Sequence, residues 1–347
     1  MTKHSSDPRG HRAAAPTGMP WAAWKDIAKR TYKRTWADNV ALVSAGVAFY
    51  GFFALLSLLG LIVIAYGFFA EPKTVIDQMG KLTAVLPTDV AVLIGEQLLR
   101  AVDASQGTKG LALVLAIAVA FYGGTNGAAA VMTALNIAYE EKEKRGLVHF
   151  YLLALGMTAT ALVVSLLALV ATAAVAFLHK LFPQASFAEV IAGKIVGYLL
   201  LLLVAAGIAA TLYRFGPSRE DAKWRWITPG SAVAAVAWLI LTVVFGFYVT
   251  HFTNYEASYG SLGAVVALLT WMYLSGYAFV FGAELNSEIE HQTAIDSTTG
   301  SPVAMGERGA WAADNVATDD TVQDRPEEAR DGEKLTQAQP KVVDEKG

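Results

Sequence analysis

The run from Ser261 to Ala283 carries no charge and no proline. At a rise of ~1.5 Å per residue, a helix over this run crosses a hydrocarbon core of ~30 Å. Lipid offers no hydrogen-bond partners, so the backbone must satisfy itself, and the segment is predicted to be helical. On that helix Thr270, Tyr273, Tyr277 and Glu284 fall along one stripe, which Glu288 extends. Val265, Leu268, Leu269 and Val280 line the other sides.

Five further apolar runs precede it, at about 40–70, 110–139, 150–178, 191–213 and 230–251. Only 16% of the chain is charged, where a soluble domain carries ~25%, and mean hydropathy is +0.42. The expected fold is therefore all-α: a polytopic membrane helical bundle with six transmembrane helices over residues 40–290. An even number of spans returns both termini to one side. On that side, residues 1–39 and the loops after the second and fourth spans hold fifteen lysines and arginines against six on the other, which predicts cytoplasmic N- and C-termini. No secretory signal peptide is expected, since the first twenty residues hold no apolar run. There are no cysteines, which excludes disulfides and thiolate metal sites.

Outside the spans, residues 1–20 read as a disordered start and residues 291–347 as a disordered acidic cytoplasmic tail. Residues 21–39 form a basic amphipathic interfacial helix. Trp21, Trp24, Ala28, Thr31, Tyr32 and Thr35 fall near one face, with Lys25, Lys29, Arg30, Lys33 and Arg34 mostly elsewhere. These residues are assigned to the membrane surface, together with Trp224 and Trp226 as interfacial anchors. Thr228 and Pro229 read as the start of the fifth span. In the longest loop a short surface helix is expected after Pro87, with Glu96 and Arg100 spaced as an ion pair. A short turn is expected at Phe182-Pro183.

The second span carries Tyr122, Asn126, Thr133 and Asn136 on one face. Buried amides are costly in lipid unless paired, so Asn126 and Asn136 are expected to face other helices or water. Together with Thr270, Tyr273, Tyr277 and Glu284 they form a candidate polar groove between the second and sixth spans; the alternative is that they are hydrogen-bonding glue between helices. The glycine run Gly123–Gly127 is not a phosphate loop, because no Lys-Ser/Thr follows it, and it reads instead as a flexible or closely packed point in the helix. The six histidines are dispersed, and no HExxH motif, Walker loop or paired carboxylates in a plausible pocket occur. No catalytic residue, metal ligand or cofactor is assigned. The expected partners are the bilayer and its anionic lipid head groups, with a second copy or an envelope protein as further candidates and no nucleic acid.

Four stretches carry a family resemblance: GVAFYGFFALLSL (Gly46–Leu58), FYGGTNGAAAVMTALNIAYEEKEKR (Phe121–Arg145), LYRFGPSREDAKWRWITPGS (Leu212–Ser231) and YGSLGAVVALLTWMYLSGYAFVFGAELN (Tyr259–Asn286). On these the chain resembles the YihY/BrkB family of bacterial inner-membrane proteins, historically labelled ribonuclease BN-like. Where that family commonly has a proline in the first span, this chain has Ser57. The resemblance implies six spans, cytoplasmic termini and an inner-membrane location, and its members have been linked to serum resistance and envelope lipid transport. The expectation is a transporter-like protein for envelope lipids or amphiphiles. A non-transporting scaffold acting through partner proteins is the alternative, and a membrane-associated ribonuclease the disfavoured third.

Overall fold

A computed structural model describes Asp7 and residues 9–69, 109–181, 187–252 and 261–317. The surface helix expected after Pro87, the Glu96–Arg100 pair, the Phe182-Pro183 turn and the chain beyond residue 317 lie outside the described residues. Among the described residues there is no strand, and a single antiparallel bridge joins Ala222 to Thr298. The α-helices are α1 (Trp21–Ala37), α2 (Val40–Phe69), α3 (Lys109–Ala138), α4 (Leu147–Leu181), α5 (Phe187–Phe215), α6 (Trp224–Phe252), α7 (Ser261–His291) and the short α8 (Trp311–Asp314).

Helices α2 to α7 are long and apolar enough to cross a membrane. Each has between 29 and 35 residues, so each exceeds the ~20 a bilayer needs and projects beyond it. Helix α2 runs without interruption through Ser57, whose hydroxyl donates back to the Phe53 carbonyl. Side by side, the helices follow the order α4, α3, α2, α7, α6, α5. Among the described residues, α4 and α5, at the two ends of this row, do not pack closely on each other.

Glycines set the tightest contacts. A Cβ on Gly123 would lie 2.6 Å from Ser57 Oγ, and one on Gly124 would collide with Thr158 Cγ2, so the glycine run of α3 is a closely packed point between α2 and α4. Where α6 crosses α7, Gly230 and Gly282 meet backbone to backbone. Pro229 lies inside α6 rather than at its start, which corrects the expected cap: the helix begins at Trp224, and the Thr228 hydroxyl donates to the Trp224 carbonyl. Asn286 of α7 bridges to the backbone on both sides of the proline. Its Oδ1 accepts the Gly230 N–H at 2.8 Å, and its Nδ2 donates to the Ile227 carbonyl at 2.8 Å.

The ion pairs and most of the long-range polar connections among the described residues gather at one end, where they build a folded cap. The expected disorder at residues 1–20 is corrected for 9–20. There a 3-10 turn (Pro16–Gly18) forms and the chain is held by Gln292, Thr293 and Ala294 through the carbonyls of Arg9, Ala13 and His11. Disorder from residue 291 is likewise corrected for 291–317. Ala310, Ala312, Ala313 and Ala317 are buried, the Ala317 N–H reaches the His291 carbonyl at 2.8 Å, and Trp311 packs on His291 with ring centroids 4.9 Å apart. These segments are polar and small-residue rich in sequence, and they are ordered by backbone hydrogen bonds rather than by an apolar run.

Helix α1 is also corrected. It docks on α7 through Ala23, Ile27, Thr31 and Thr35, in a small core that holds Met19, Trp226 and Ile289. Thr31 and Thr35 are therefore buried under the helix, whereas Trp21 is exposed. Arg30 and Arg34 turn inward: Arg30 Nε lies 2.6 Å from Glu288 Oε2, and Arg34 pairs with Glu140 and Glu288. They are cap residues, not lipid-facing ones. Trp24 packs against the same core, and Trp226 is 0% exposed, so it anchors the cap and not the interface. Trp224 is exposed, with the Arg214 guanidinium 4.7 Å from its ring.

Candidate functional site

Inside the bundle, α2, α3, α4, α5 and α7 line a cavity of about 620 Å³. Its wall is Val47, Gly51, Leu55, Leu58 and Leu61 of α2, with Phe121, Gly124, Gly127 and Leu135 of α3. Met157 and Thr158 of α4, Leu212 and Tyr213 of α5, and Trp271, Met272, Ser275 and Gly276 of α7 complete it. The three hydroxyls in this wall are already engaged. Thr158 donates to the Ala154 carbonyl, Tyr213 to the Phe279 carbonyl at 2.6 Å, and Ser275 accepts from Trp238 Nε1. The space thus presents hydrocarbon. A water or ion needs several free polar partners, and this wall suits an apolar chain instead. Because α4 and α5 both line it without packing closely on each other among the described residues, its side between them is not closed by a helix–helix contact there.

None of the six predicted groove residues lines this cavity. Asn126 donates to the Tyr122 carbonyl and Thr270 to the Val266 carbonyl, each one turn back in its own helix. Tyr273 and Tyr277 are half-buried with ring centroids 6.5 Å apart. The polar groove is therefore not a channel through the bundle, and α2 lies between most of α3 and α7. Asn136 and Glu284 belong to the cap. The Asn136 amide donates to Glu143 at 2.9 Å and accepts the Ser218 N–H at 2.7 Å, tying the loop after α3 to the loop after α5. Glu284 is 1% exposed, its Oε1 lacks a hydrogen bond, and Asp38, Glu140, Glu288 and Arg34 are its electrostatic neighbours.

The cap is closed by ion pairs between segments far apart in sequence. Arg219 Nη2 lies 2.6 Å from Glu290 Oε2, with both side chains out of solvent, and the guanidinium sits 5.0 Å from the Tyr139 ring. Burial works against the Arg219 charge, but Glu290 outweighs it and holds the group above its ordinary pKa. Burial, reinforced by the Glu290 charge, pushes the Tyr139 phenol up. Glu141, raised by burial, accepts the Trp311 N–H at 2.6 Å and pairs with Lys144. Burial also opposes ionisation of Glu143, yet the hydrogen bonds from Arg145 and Asn136 bring its pKa down to about 2. No group of three His, Cys, Asp or Glu among the described residues is placed to hold a metal ion.

Sequence reasoning misses the cavity wall because its markers are small residues on separate helices. The spacing of Gly123, Gly124 and Gly127 is the one available signal. The cap pairs offer none, since Arg30 and Glu288 stand 258 residues apart.

Residues 31–305 match the family model described as Virulence factor BrkB. A putative ribonuclease-like protein of Bacillus subtilis (strain 168) is 28% identical over 68% of this chain and 86% of its own length. A UPF0761 membrane protein of Nitrosospira multiformis is 27% identical over 74% of this chain and 59% of its own. Another, from Alteromonas mediterranea, is 39% identical over a shorter stretch, 27% of this chain and 33% of its own. No solved structure matches the chain. With the family model covering all six spans and most of the cap, this integral membrane protein belongs to the virulence factor BrkB family.

Proposed function

We propose that the protein carries lipids or other amphiphiles of the bacterial envelope across or within the inner membrane. The observation that supports this reading is the apolar cavity between α4 and α5: its wall offers hydrocarbon contact along its length, and each of its three hydroxyls is already held in a hydrogen bond within the protein. From Val47 to Leu61 the wall of α2 extends ~21 Å, about two thirds of the hydrocarbon core, which accommodates an acyl chain lying along the bundle. On this reading the cap faces the cytoplasm, following the excess of basic residues in residues 1–39 and the loops on its side.

The test is reconstitution into liposomes with head-group-labelled lipid and a membrane-impermeant quencher. The protein should accelerate exchange between leaflets, and Ala161→Phe or Ser275→Phe, which put a ring into the cavity from its wall, should abolish the acceleration while leaving the protein folded and inserted. Exchange no faster than in protein-free liposomes would overturn the proposal. That result would favour the scaffold reading, in which the cap serves partner proteins. The ribonuclease reading draws only on the historical family label and the name of the Bacillus relative; the cap arginines 30, 34, 145 and 219 are engaged with carboxylates of the chain itself rather than arrayed for phosphates.

A further inference from the structure

We infer that the outer face of α1 is a docking surface for an anionic bilayer. With Arg30 and Arg34 turned into the cap, the face that remains outside carries a different set of residues from the one the sequence pattern groups. Trp21, Lys25, Ala28, Lys29, Tyr32 and Trp36 follow i, i+4, i+7, i+8, i+11 and i+15, so they form one stripe, with Lys33 at its edge. Trp21 is 73% exposed, Tyr32 64% and Trp36 68%.

Three lysines and three large aromatics on one open stripe have the chemistry of the bilayer interface. The aromatic rings are apolar bodies with a polar edge that rest at head-group depth, and the lysines supply attraction to anionic head groups. The two are already in register. Lys25 Nζ lies 6.0 Å from the Trp21 ring centroid, and the Tyr32 and Trp36 rings meet edge to face at 6.3 Å. Position agrees with chemistry. Helix α1 ends at Ala37, the first span begins at Val40, and Leu42 is already exposed on the outer surface of that span. The Trp36 end of the stripe therefore stands where the membrane begins.

Charge complementarity selects an anionic surface. The acidic residue of α1, Asp26, is turned toward Arg9 at 3.9 Å, which leaves the stripe itself purely basic. The chain beyond Ala317 is acidic but contains no aromatic residue and few apolar ones, so it has nothing to cover Trp21, Tyr32 and Trp36 with. Each lysine at an anionic surface contributes about five-fold to local partitioning, so the three together contribute on the order of a hundred-fold.

The absence of cysteine makes the test direct. Ala28→Cys, in the middle of the stripe, is labelled with a nitroxide in the full-length protein and reconstituted into vesicles of phosphatidylglycerol and phosphatidylcholine. Collision with dissolved oxygen, which concentrates in lipid, should exceed collision with a water-soluble nickel complex. The ratio should fall several-fold in pure phosphatidylcholine, and equally in the Lys25→Gln/Lys29→Gln/Lys33→Gln variant in anionic vesicles. All three lysines are exposed, so this variant keeps every buried contact of α1. Full access to the nickel complex in anionic vesicles would overturn the inference, as would a depth independent of lipid charge. A label shielded from both reagents would overturn it as well, assigning the stripe to a second copy or to the acidic tail; truncation after Ala317 would separate those two.

Discussion

Replacing Gly282 by alanine tests the central packing contact of the bundle. The added methyl would stand 2.6 Å from Ala234 Cβ, 2.6 Å from the Tyr213 hydroxyl and 2.7 Å from the Gly230 carbonyl oxygen. Carbon–carbon contacts are comfortable at ~3.5–4.0 Å, so α6 and α7 must part by roughly 1 Å. Overpacking of this kind costs ~1–3 kcal/mol. Moving the Tyr213 hydroxyl also loosens its bond to the Phe279 carbonyl, worth a further ~1 kcal/mol. Alanine returns up to ~1 kcal/mol through helix propensity, which leaves a net loss of about 2 kcal/mol. Gly156→Ala is the control: nothing lies within 4 Å of its added methyl, so it should be neutral or slightly stabilising. Thermal unfolding of both variants in one detergent, followed by tryptophan fluorescence, gives the comparison. Equal midpoints would refute the claim that the α6–α7 crossing requires a glycine at position 282. Because Tyr213 lines the cavity, the same variant should also slow lipid exchange if the proposed function holds.

Removing one partner of the buried Arg219–Glu290 pair, as in Arg219→Met or Glu290→Leu, should cost ~3–5 kcal/mol, since a charge is left buried and unpaired. The double variant should cost far less than the sum, and additivity in a double-mutant cycle would show that the two groups do not meet. Acid should weaken the cap through Glu143. Its folded pKa of about 2 lies below the ordinary value of 4.5, so its contribution is complete above 4.5 and is lost as pH falls toward 2. Glu143→Gln should flatten that limb of the stability profile, and an unchanged limb would refute the assignment. Glu141 carries the opposite sign: its pKa is raised by burial, so its contribution grows as protonation proceeds.

How much of this is legible depends on whether a residue's partner lies nearby in sequence. The spans are legible because lipid imposes one requirement on each residue of Ser261–Ala283 independently of its neighbours. The glycine run in α3 is legible as a packing point, although what it packs on, Ser57 and Thr158, is not. The tyrosines and amides are legible as stripes, but a stripe states only that residues share a face. It does not say whether that face meets a cavity, a neighbour or its own backbone, and Asn126 and Thr270 take the last course. Charge misleads where long-range pairing intervenes. Arg30 and Arg34 obey a surface pattern in sequence, but two glutamates, one from α7 and one just past the end of α3, draw them inward. The terminal segments look disordered because their burial comes from alanines and backbone hydrogen bonds, which no hydropathy measure weights.

The cap and the cavity divide the bundle into two mechanical halves. Near the cap, Val40, Leu135, Tyr139, Tyr213, Ile227 and Ala283 form a closed core, and ion pairs cross from α1 to α7 and from the loop after α5 to α7. Toward the middle of the membrane that core gives way to the cavity, and most of α5 from Ile195 to Val204 is exposed. Exposed leucine and valine cost nothing against lipid tails, so the open half is stable only because its solvent is hydrocarbon. A lipid entering between α4 and α5 would exchange one hydrocarbon contact for another. Its tail would pay little to move, and the barrier would fall on its head group. The cap ends of α2, α3, α5 and α7 bound that path with Leu135 and Tyr213 as its last apolar residues. Such a head group would have to leave at the rim of the cap, beside the loops that Asn136 ties together. Loosening that tie with Asn136→Leu should therefore change the rate of lipid exchange more than the affinity of the cavity for a fatty acyl probe. If binding of the probe fell and exchange did not, the head group would be leaving elsewhere.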